Sequence, residues 1–254
     1  MPPAGTVRLV LVHGSRLTHT QWAPQVTRIA ALPEAERSRL RVVAPDLPAH
    51  GARAAQPFTL DRAVGAVAAA VEDGPADPPV VLVGHSLGGY VAMAYASMYP
   101  RRLAGLVLLS CAAVPRGPGA AAYRGVAVLT DRLGPARMTE VNDRVLGRLY
   151  PPELVAAVVA GGYWFGPTGA AWREVMARCR PSLLREVTAP VLVAGGVYDQ
   201  LMVDAARYAR AAPHGRVRWV PRAGHLVGFD QPEVVTRMLV EFALDAADGR
   251  LDRS

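Results

Sequence analysis

The chain of 254 residues contains no lysine, so all 28 of its basic residues other than histidine are arginine. They outnumber the 21 acidic residues and give a net charge of +7. Aromatic side chains make up only 6% of the chain, and they are not interleaved with basic tracts. Because that interleaving is the usual signature of a nucleic-acid surface, the composition argues against nucleic-acid binding.

Only two cysteines are present, Cys111 and Cys179, and they do not form a Cys-x-x-Cys pair. The sequence therefore predicts neither a disulfide framework nor a zinc site. No apolar run reaches the roughly 18 residues that a membrane-spanning helix needs, and residues 1–6 lack the basic start of a secretory signal. We expect a cytoplasmic protein with no membrane partner, no metal and no cofactor.

The most informative stretch is Val80 to Gly89, where a run of aliphatic residues is followed by Gly84-His85-Ser86-Leu87-Gly88 and an alanine-rich segment. The aliphatic run predicts a strand buried on both faces, and the segment after it predicts a buried helix. A serine on so sharp a turn needs small residues two positions before and after it, and both are glycine. The turn also places Ser86 at a helix N-terminus, where free N–H groups favour a developing negative charge.

This Gly-x-Ser-x-Gly sequence between a strand and a helix resembles the nucleophile elbow of the α/β-hydrolase family. The resemblance covers about residues 7–245 and implies a mostly parallel sheet flanked by helices, with Ser86 as the nucleophile. The family usually has a β-hairpin before its first parallel strand, but only six residues precede Val7. We therefore expect a sheet of about six strands.

Two further motifs match the family's oxyanion loop and the loop after its second parallel strand. His13-Gly14-Ser15 follows the strand Val7 to Val12, and by that match the oxyanion hole is formed by the backbone N–H groups of Ser15 and Leu87. Asp46 to Gly51 resembles the family's Asp-x-Pro-Gly-His-Gly loop, with Ala49 where glycine is usual. His50 is then a structural residue near the site.

The remaining catalytic residues are expected after the last two strands. Asp199 follows Gly196 by three residues and matches the family's acid position at the end of a strand, while Asp204 is the alternative acid. His225 follows the final strand in a Gly-His loop, and only this histidine completes the order Ser, acid, His. The resemblance thus implies a triad of Ser86, Asp199 and His225.

The strand pattern stops between residues 112 and 185, where the sequence predicts four helices: Tyr123 to Leu133, Thr139 to Leu149, Pro152 to Val159 and Ala171 to Arg178. In the family such an insertion forms a cap, so we divide the chain into a core, residues 1–111 and 186–254, and a helical cap, residues 112–185. The cap contains ten arginines and five acidic residues, an excess of +5. The candidate substrate contacts are His13, Arg16, Tyr163 and Trp164.

Together these motifs predict a serine hydrolase that cleaves an ester, thioester or lactone of a small molecule through an acyl-enzyme. Serine at position 86 argues against dehalogenase and epoxide hydrolase chemistry, which needs a carboxylate nucleophile. Two alternatives stay open: a non-hydrolytic use of the same triad, as in a lyase, cyclase or perhydrolase, and a ligand-binding, receptor-like protein. The arginine-rich cap suits an anionic acyl group or an acidic carrier protein, but solvated helix faces explain the same arginines.

Overall fold

The computed structural model describes residues 5–72, 78–114 and 117–251, without the side chains of 117–127 and 129–131. Its described residues form a sheet of six strands in the order β2-β1-β3-β4-β5-β6, and every neighbouring pair is parallel. The prediction of a mostly parallel sheet of about six strands is confirmed. The strands are β1 Val7–Val12, β2 Leu40–Val43, β3 Val80–His85, β4 Gly105–Leu109, β5 Val191–Gly196 and β6 Gly215–Val220.

The central strands are buried on both faces, which explains their aliphatic sequences. Along β1, Val10 and Val12 pack into one apolar cluster while Leu9 and Leu11 pack into another. This is the two-residue period of a strand, with alternate side chains on opposite faces of the sheet. All four side chains are fully buried.

Helices cover both faces of the sheet. The helices are α1 Ala23–Ala30, α2 Glu34–Arg37, α3 Leu60–Glu72, α4 Leu87–Met98, α5 Gly117–Leu149, α6 Pro152–Val159, α7 Thr168–Arg178, α8 Ala205–Ala211, α9 Val227–Asp230 and α10 Pro232–Ala247. Buried residues of α3, α4, α7 and α8 belong to the first cluster, and buried residues of α1 and α10, with Val227 of α9, belong to the second. The sheet is therefore sandwiched between two helical layers, the arrangement that α/β proteins require.

The three helices α5, α6 and α7 are inserted between β4 and β5. Helix α5 is interrupted at Gly134, whose φ of 73° and ψ of 165° are not helical. The two helices predicted from the sequence in this region, Tyr123 to Leu133 and Thr139 to Leu149, lie on either side of that break. Helix α6 has the predicted bounds, and α7 begins three residues before the predicted start at Ala171.

Across residues 5–72, 78–114 and 117–251, no helix combines the length and apolar character needed to cross a membrane.

Candidate active site

The three predicted triad residues follow three different strands at one edge of the sheet. Ser86 follows β3, Asp199 follows β5 and His225 follows β6. Because all strands are parallel, their carboxyl ends meet at this edge, where open α/β sheets form their ligand sites.

Ser86 occupies a strained turn between β3 and α4, with φ of 52° and ψ of −117°. This conformation is rare for a residue with a side chain, and such strain is concentrated at functional sites. A Cβ atom at Gly84 would overlap the carbonyl of Gly88, and one at Gly88 would overlap the carbonyls of Val12 and His13. The two glycines of the motif are therefore required by close backbone packing.

A continuous chain of hydrogen bonds joins Ser86, His225 and Asp199. His225 Nε2 lies 3.1 Å from Ser86 Oγ, and His225 Nδ1 lies 3.1 Å from Asp199 Oδ1. Asp199 Oδ1 also accepts the Leu201 N–H at 2.8 Å. A carboxylate can only accept, so Nδ1–H donates to Asp199 and Nε2 is left to accept the Ser86 hydroxyl.

The electrostatics of Asp199 suit this geometry. Burial acts to raise its pKa, but the hydrogen bond and charge of His225 and the N–H of Leu201 outweigh burial and hold the pKa below its ordinary value. The carboxylate is therefore ionised at neutral pH and can stabilise a protonated His225.

The alternative acid, Asp204, has a different set of contacts. Its Oδ2 accepts the Val114 N–H at 2.8 Å, and its own N–H donates to the Ala112 carbonyl at 2.9 Å. Asp204 therefore anchors the segment that leaves β4, while Asp199 contacts His225.

Two side chains that the motifs did not single out hold the His225 loop. The Gly224 N–H donates to Asp230 Oδ2 at 2.7 Å, and His85 Nε2–H donates to the His225 carbonyl at 2.9 Å. Burial, reinforced by the nearby His225, lowers the pKa of His85 to about 4, so His85 is neutral and can serve as a fixed donor. Tyr150 donates its hydroxyl to Asp230 Oδ1 at 2.6 Å, which ties the inserted helices to the same loop.

The predicted oxyanion residues belong to two segments close to Ser86, the start of α4 and the loop after β1. Leu87 is the first residue of α4, and the first N–H groups of a helix have no intrahelical acceptor. In the loop after β1, the Gly14 N–H donates to Gln21 Oε1 at 2.8 Å, which shapes the loop that carries Ser15. Ser15 lines the same cavity as Ser86.

This cavity has a volume of about 460 Å³ and lies between the sheet edge and the inserted helices. Ser86 and His225 line it, together with Asn142, Val145 and Leu146 of α5. The volume falls in the range of small-molecule sites. A second cavity of about 500 Å³ adjoins it, and Tyr163 lines both.

The four expected substrate contacts divide into two groups. Arg16 and Tyr163 line the cavity that contains Ser86. Trp164 lines only the second cavity and donates its indole N–H to the Gly161 carbonyl at 2.9 Å.

His13 lines neither cavity. It is fully buried, its Nε2 accepts the Leu47 N–H at 2.9 Å, and its Nδ1–H donates to the Gly14 carbonyl at 2.7 Å. Burial and the neighbouring His50 lower the pKa of His13 to about 3. Each ring nitrogen of His13 has a backbone hydrogen-bond partner, so His13 connects the two loops that follow β1 and β2.

The loop after β2 keeps its turn without the usual glycine, because Ala49 itself adopts a left-handed φ of 63°. His50 is fully buried beside His13, with ring centroids 5.1 Å apart. No group of three His, Cys, Asp or Glu side chains suited to a metal ion occurs in the part of the chain that the structure describes.

The sequence comparisons agree with this architecture. A family model described as the alpha/beta hydrolase family matches residues 9–238. The chain belongs to the alpha/beta hydrolase family. Proteins that match it include enzymes named as an esterase and a lipase.

Pimeloyl-[acyl-carrier protein] methyl ester esterase of Stenotrophomonas maltophilia is 30% identical over 95% of each chain. Lipase LipV of Mycobacterium tuberculosis is 39% identical, but the match spans only 42% of this chain and 38% of the lipase. A thermophilic esterase from Thermogutta terrifontis, solved with malate bound, is 29% identical with a TM-score of 0.74 and covers 96% of this chain and 92% of its own. These relatives support hydrolase activity for this member of the alpha/beta hydrolase family.

Proposed function

We propose that this protein is a serine hydrolase that cleaves a carboxylic ester, thioester or lactone of a small molecule through an acyl-enzyme. The observation that carries the proposal is the hydrogen-bonded chain of Ser86, His225 and Asp199 beside a cavity of about 460 Å³. Nucleophile and base lie within hydrogen-bond reach, and a third group orients the base, which is the arrangement that covalent catalysis needs.

In the proposed acylation step, His225 Nε2 takes the proton of Ser86 as Oγ attacks the substrate carbonyl carbon. An imidazole can both accept and return a proton near neutral pH, so His225 then protonates the leaving group. Asp199 keeps the ring in the required tautomer and stabilises the imidazolium without taking the proton itself.

The backbone N–H groups of Ser15 and Leu87 are assigned to the oxyanion hole, where they stabilise the negative charge that develops on the carbonyl oxygen. Removing one donor of such a pair typically lowers the rate by about 10²- to 10³-fold. Water, activated by His225, then attacks the acyl-enzyme and releases the acid. Apart from the substrate and this water, every group in the mechanism belongs to the protein.

We further propose that residues 112–185 act as a cap over a core of residues 1–111 and 186–254. Asn142, Val145, Leu146 and Trp172 of this insertion line the cavity, so the cap sets the shape available to the acyl group. One relative is named pimeloyl-[acyl-carrier protein] methyl ester esterase. Esters of carrier-linked acyl groups are therefore among the substrates to test.

The test is hydrolysis of p-nitrophenyl esters, acyl thioesters and lactones by the wild-type protein, Ser86→Ala and His225→Ala. We expect turnover of at least one class, and a loss of about 10⁴-fold or more in kcat for either variant, because triad members act as a unit. When the reaction is run in water labelled with heavy oxygen, the label should appear in the acid product. Equal turnover by His225→Ala, or a product without the label, would contradict the proposal.

A further inference from the structure

Helix α5 presents a row of arginines in the part that follows its break at Gly134. Arg137, Arg144 and Arg148 are all exposed. Because they are spaced by seven and four residues, they lie on one side of the helix over about 16 Å. In the part of the chain that the structure describes, none of their guanidinium groups has a hydrogen-bond or ion-pair partner. This arginine row therefore offers three positive charges to a ligand.

Two acidic residues occur in the same part of α5, and they do not neutralise the arginine row. Asp143 accepts the Tyr163 hydroxyl at 2.8 Å. Glu140 lies one turn before Arg144, but it has no ion-pair partner among the described residues. The row therefore keeps an excess of positive charge.

An exposed apolar stripe lies beside the arginine row. Its members Val141, Val145 and Leu149 are spaced by four residues and are 40%, 48% and 65% exposed. Large apolar side chains exposed together mark binding surfaces. Val145 also lines the Ser86 cavity, so the apolar stripe reaches the mouth of that cavity. At about 100° per residue, the arginine row, the apolar stripe and the cavity-lining side of α5 follow one another around the helix.

This order suits a ligand with an apolar end and several negative charges at the other end. Leu17, Leu226 and Phe229 in the walls of the cavity suit an acyl chain. Phosphate groups carry up to about two charges each, and the planar fork of arginine matches their oxygens. Arg144 and Arg148 are about 6 Å apart along the helix axis, so neighbouring phosphates can engage both.

The size of the surface favours a small ligand over a protein. A stable protein interface involves about 20 to 30 residues on each side. The arginine row and the apolar stripe together contain six residues, which is enough for the phosphates and the linking arm of one small molecule.

We propose that the arginine row binds phosphates of the substrate's leaving group, so that the substrates are acyl thioesters of a phosphorylated nucleotide carrier. This inference rests on the proposed serine hydrolase function and selects the thioester class from it. The acyl chain lies in the cavity with its carbonyl at Ser86, and the arm of the carrier crosses the apolar stripe. Ser86 Oγ takes the acyl group as the C–S bond breaks, His225 gives its proton to the sulfur, and water then releases the acid.

The first experiment compares hexanoyl-coenzyme A with the hexanoyl thioester of N-acetylcysteamine, which has the same acyl group and no phosphate. Release of the thiol measures turnover. The wild-type kcat/KM should favour the coenzyme A thioester, and added salt should reduce that preference because it screens exposed charges. Arg144→Gln with Arg148→Gln should lower kcat/KM for the coenzyme A thioester by about 5- to 20-fold, mainly through KM, since each exposed ion pair contributes about 2- to 5-fold. The other thioester should change by less than about twofold.

Arg101→Gln with Arg210→Gln is the matched control, because it removes the same net charge from two exposed positions. Arg101 lies before β4 and Arg210 before β6, so both are at the edge of the sheet opposite Ser86. This variant should leave both thioesters unchanged. An equal loss in the two double variants would show that only net charge matters, and equal wild-type turnover of the two thioesters would show that phosphate is not recognised. Either result would overturn the proposal.

The second experiment does not depend on turnover. Calorimetric titration of coenzyme A into the wild-type protein should show binding that weakens by about 5- to 20-fold in Arg144→Gln with Arg148→Gln. Such binding without hydrolysis of any thioester would overturn the proposed function and retain the phosphate site. Binding that does not depend on the two arginines would overturn the phosphate site whatever the enzyme hydrolyses.

A carrier-protein thioester separates a nucleotide from an acidic protein as the partner. Hexanoyl-acyl carrier protein should be a poorer substrate than hexanoyl-coenzyme A. A preference for the protein-linked thioester that is lost in Arg144→Gln with Arg148→Gln would assign the arginine row to an acidic protein and overturn the proposal.

Discussion

At the scale of single residues, the choice of acid is the most direct test of the proposed triad. Asp199 and Asp204 are five positions apart, yet Asp199 contacts His225 and Asp204 holds the Val114 N–H. We predict that Asp199→Asn lowers kcat for a p-nitrophenyl ester by about 10³- to 10⁴-fold, because an amide no longer fixes the histidine tautomer or balances its charge.

Asp204→Asn is the matched control, since it also exchanges a carboxylate for an amide at the start of a helical segment. Its side-chain oxygen can still accept the Val114 N–H, so kcat should stay within about twofold of wild type. Steady-state kinetics of the two variants in parallel checks this, and equal losses in both would contradict the assignment of Asp199.

Several residue assignments follow directly from the sequence, and others do not. The placement of Ser86, Asp199 and His225 at one edge of the sheet could be predicted, because each follows a strand. Arg16 and Tyr163 line the cavity, whereas Trp164 does not, and that difference depends on how the insertion packs on the loops. His13 does not line it either, because its ring is held between the loops after β1 and β2. Asp230 was missed because no local pattern shows that its carboxylate turns back to the Gly224 N–H, six residues earlier.

At the scale of elements, the break in α5 has a clear cause. Gly134 adopts a φ of 73° and a ψ of 165°, a region that is essentially restricted to glycine. A Cβ atom there would meet nothing within 4 Å, so the cost of a side chain lies in the backbone alone. We predict that Gly134→Ala destabilises the protein by about 1–3 kcal/mol.

Gly147→Ala in the same helix is the control. Its Cβ would also meet nothing within 4 Å, but Gly147 has no left-handed φ, so alanine should stabilise by about 0.5–1 kcal/mol. Denaturant unfolding followed by circular dichroism measures both. Destabilisation of the same size at the two positions would show that the break at Gly134 does not need glycine.

The contact between the insertion and the His225 loop gives a second prediction at this scale. Tyr150 donates to Asp230, whose other oxygen accepts the Gly224 N–H beside His225. We predict that Tyr150→Phe lowers kcat by about 3- to 10-fold, the equivalent of one hydrogen bond, with little change in KM.

Tyr208→Phe is the comparison for that variant. The Tyr208 hydroxyl donates to the Ala113 carbonyl at 3.1 Å, and Tyr208 does not line either cavity. This variant should lower stability without changing kcat. A rise in KM with unchanged kcat for Tyr150→Phe would indicate that Tyr150 only shapes the cavity wall and does not position His225.

At the scale of the whole molecule, buried neutral histidines should set the response to acid. Burial lowers the pKa of His13 from 6.5 to about 3 and that of His85 to about 4, and it also lowers the pKa of His50. Between pH 6.5 and about 4 the unfolded chain therefore binds more protons than the folded protein. The contribution of these buried neutral histidines to stability is complete above pH 6.5 and is lost as the pH falls through this window.

We predict that the free energy of unfolding falls steadily from pH 6.5 to 4.5, with each such histidine contributing up to about 1.4 kcal/mol per pH unit. Denaturant unfolding at half-unit steps of pH measures the slope. His13→Asn should be less stable at pH 7 and should show a shallower dependence on pH. An unchanged slope in this variant would contradict the assignment of a buried neutral His13.

The global architecture was largely accessible from the sequence because the aliphatic strands are long enough to mark a buried parallel sheet. The parallel sheet and its two helical layers follow from the alternation of strands and helices, and the insertion follows from the interruption of that alternation between β4 and β5. The cavity depends on contacts between distant segments, such as the bridge between Arg16 and Trp164, and local sequence patterns do not specify these.

The central claim is that Ser86 is the covalent nucleophile, and active-site labelling tests it most directly. The protein is treated with a fluorophosphonate, digested and analysed by mass spectrometry. We predict one adduct per chain, located on the peptide that contains Ser86, absent from Ser86→Ala and formed far more slowly in His225→Ala. An adduct on another residue, or equal labelling of Ser86→Ala, would contradict the account.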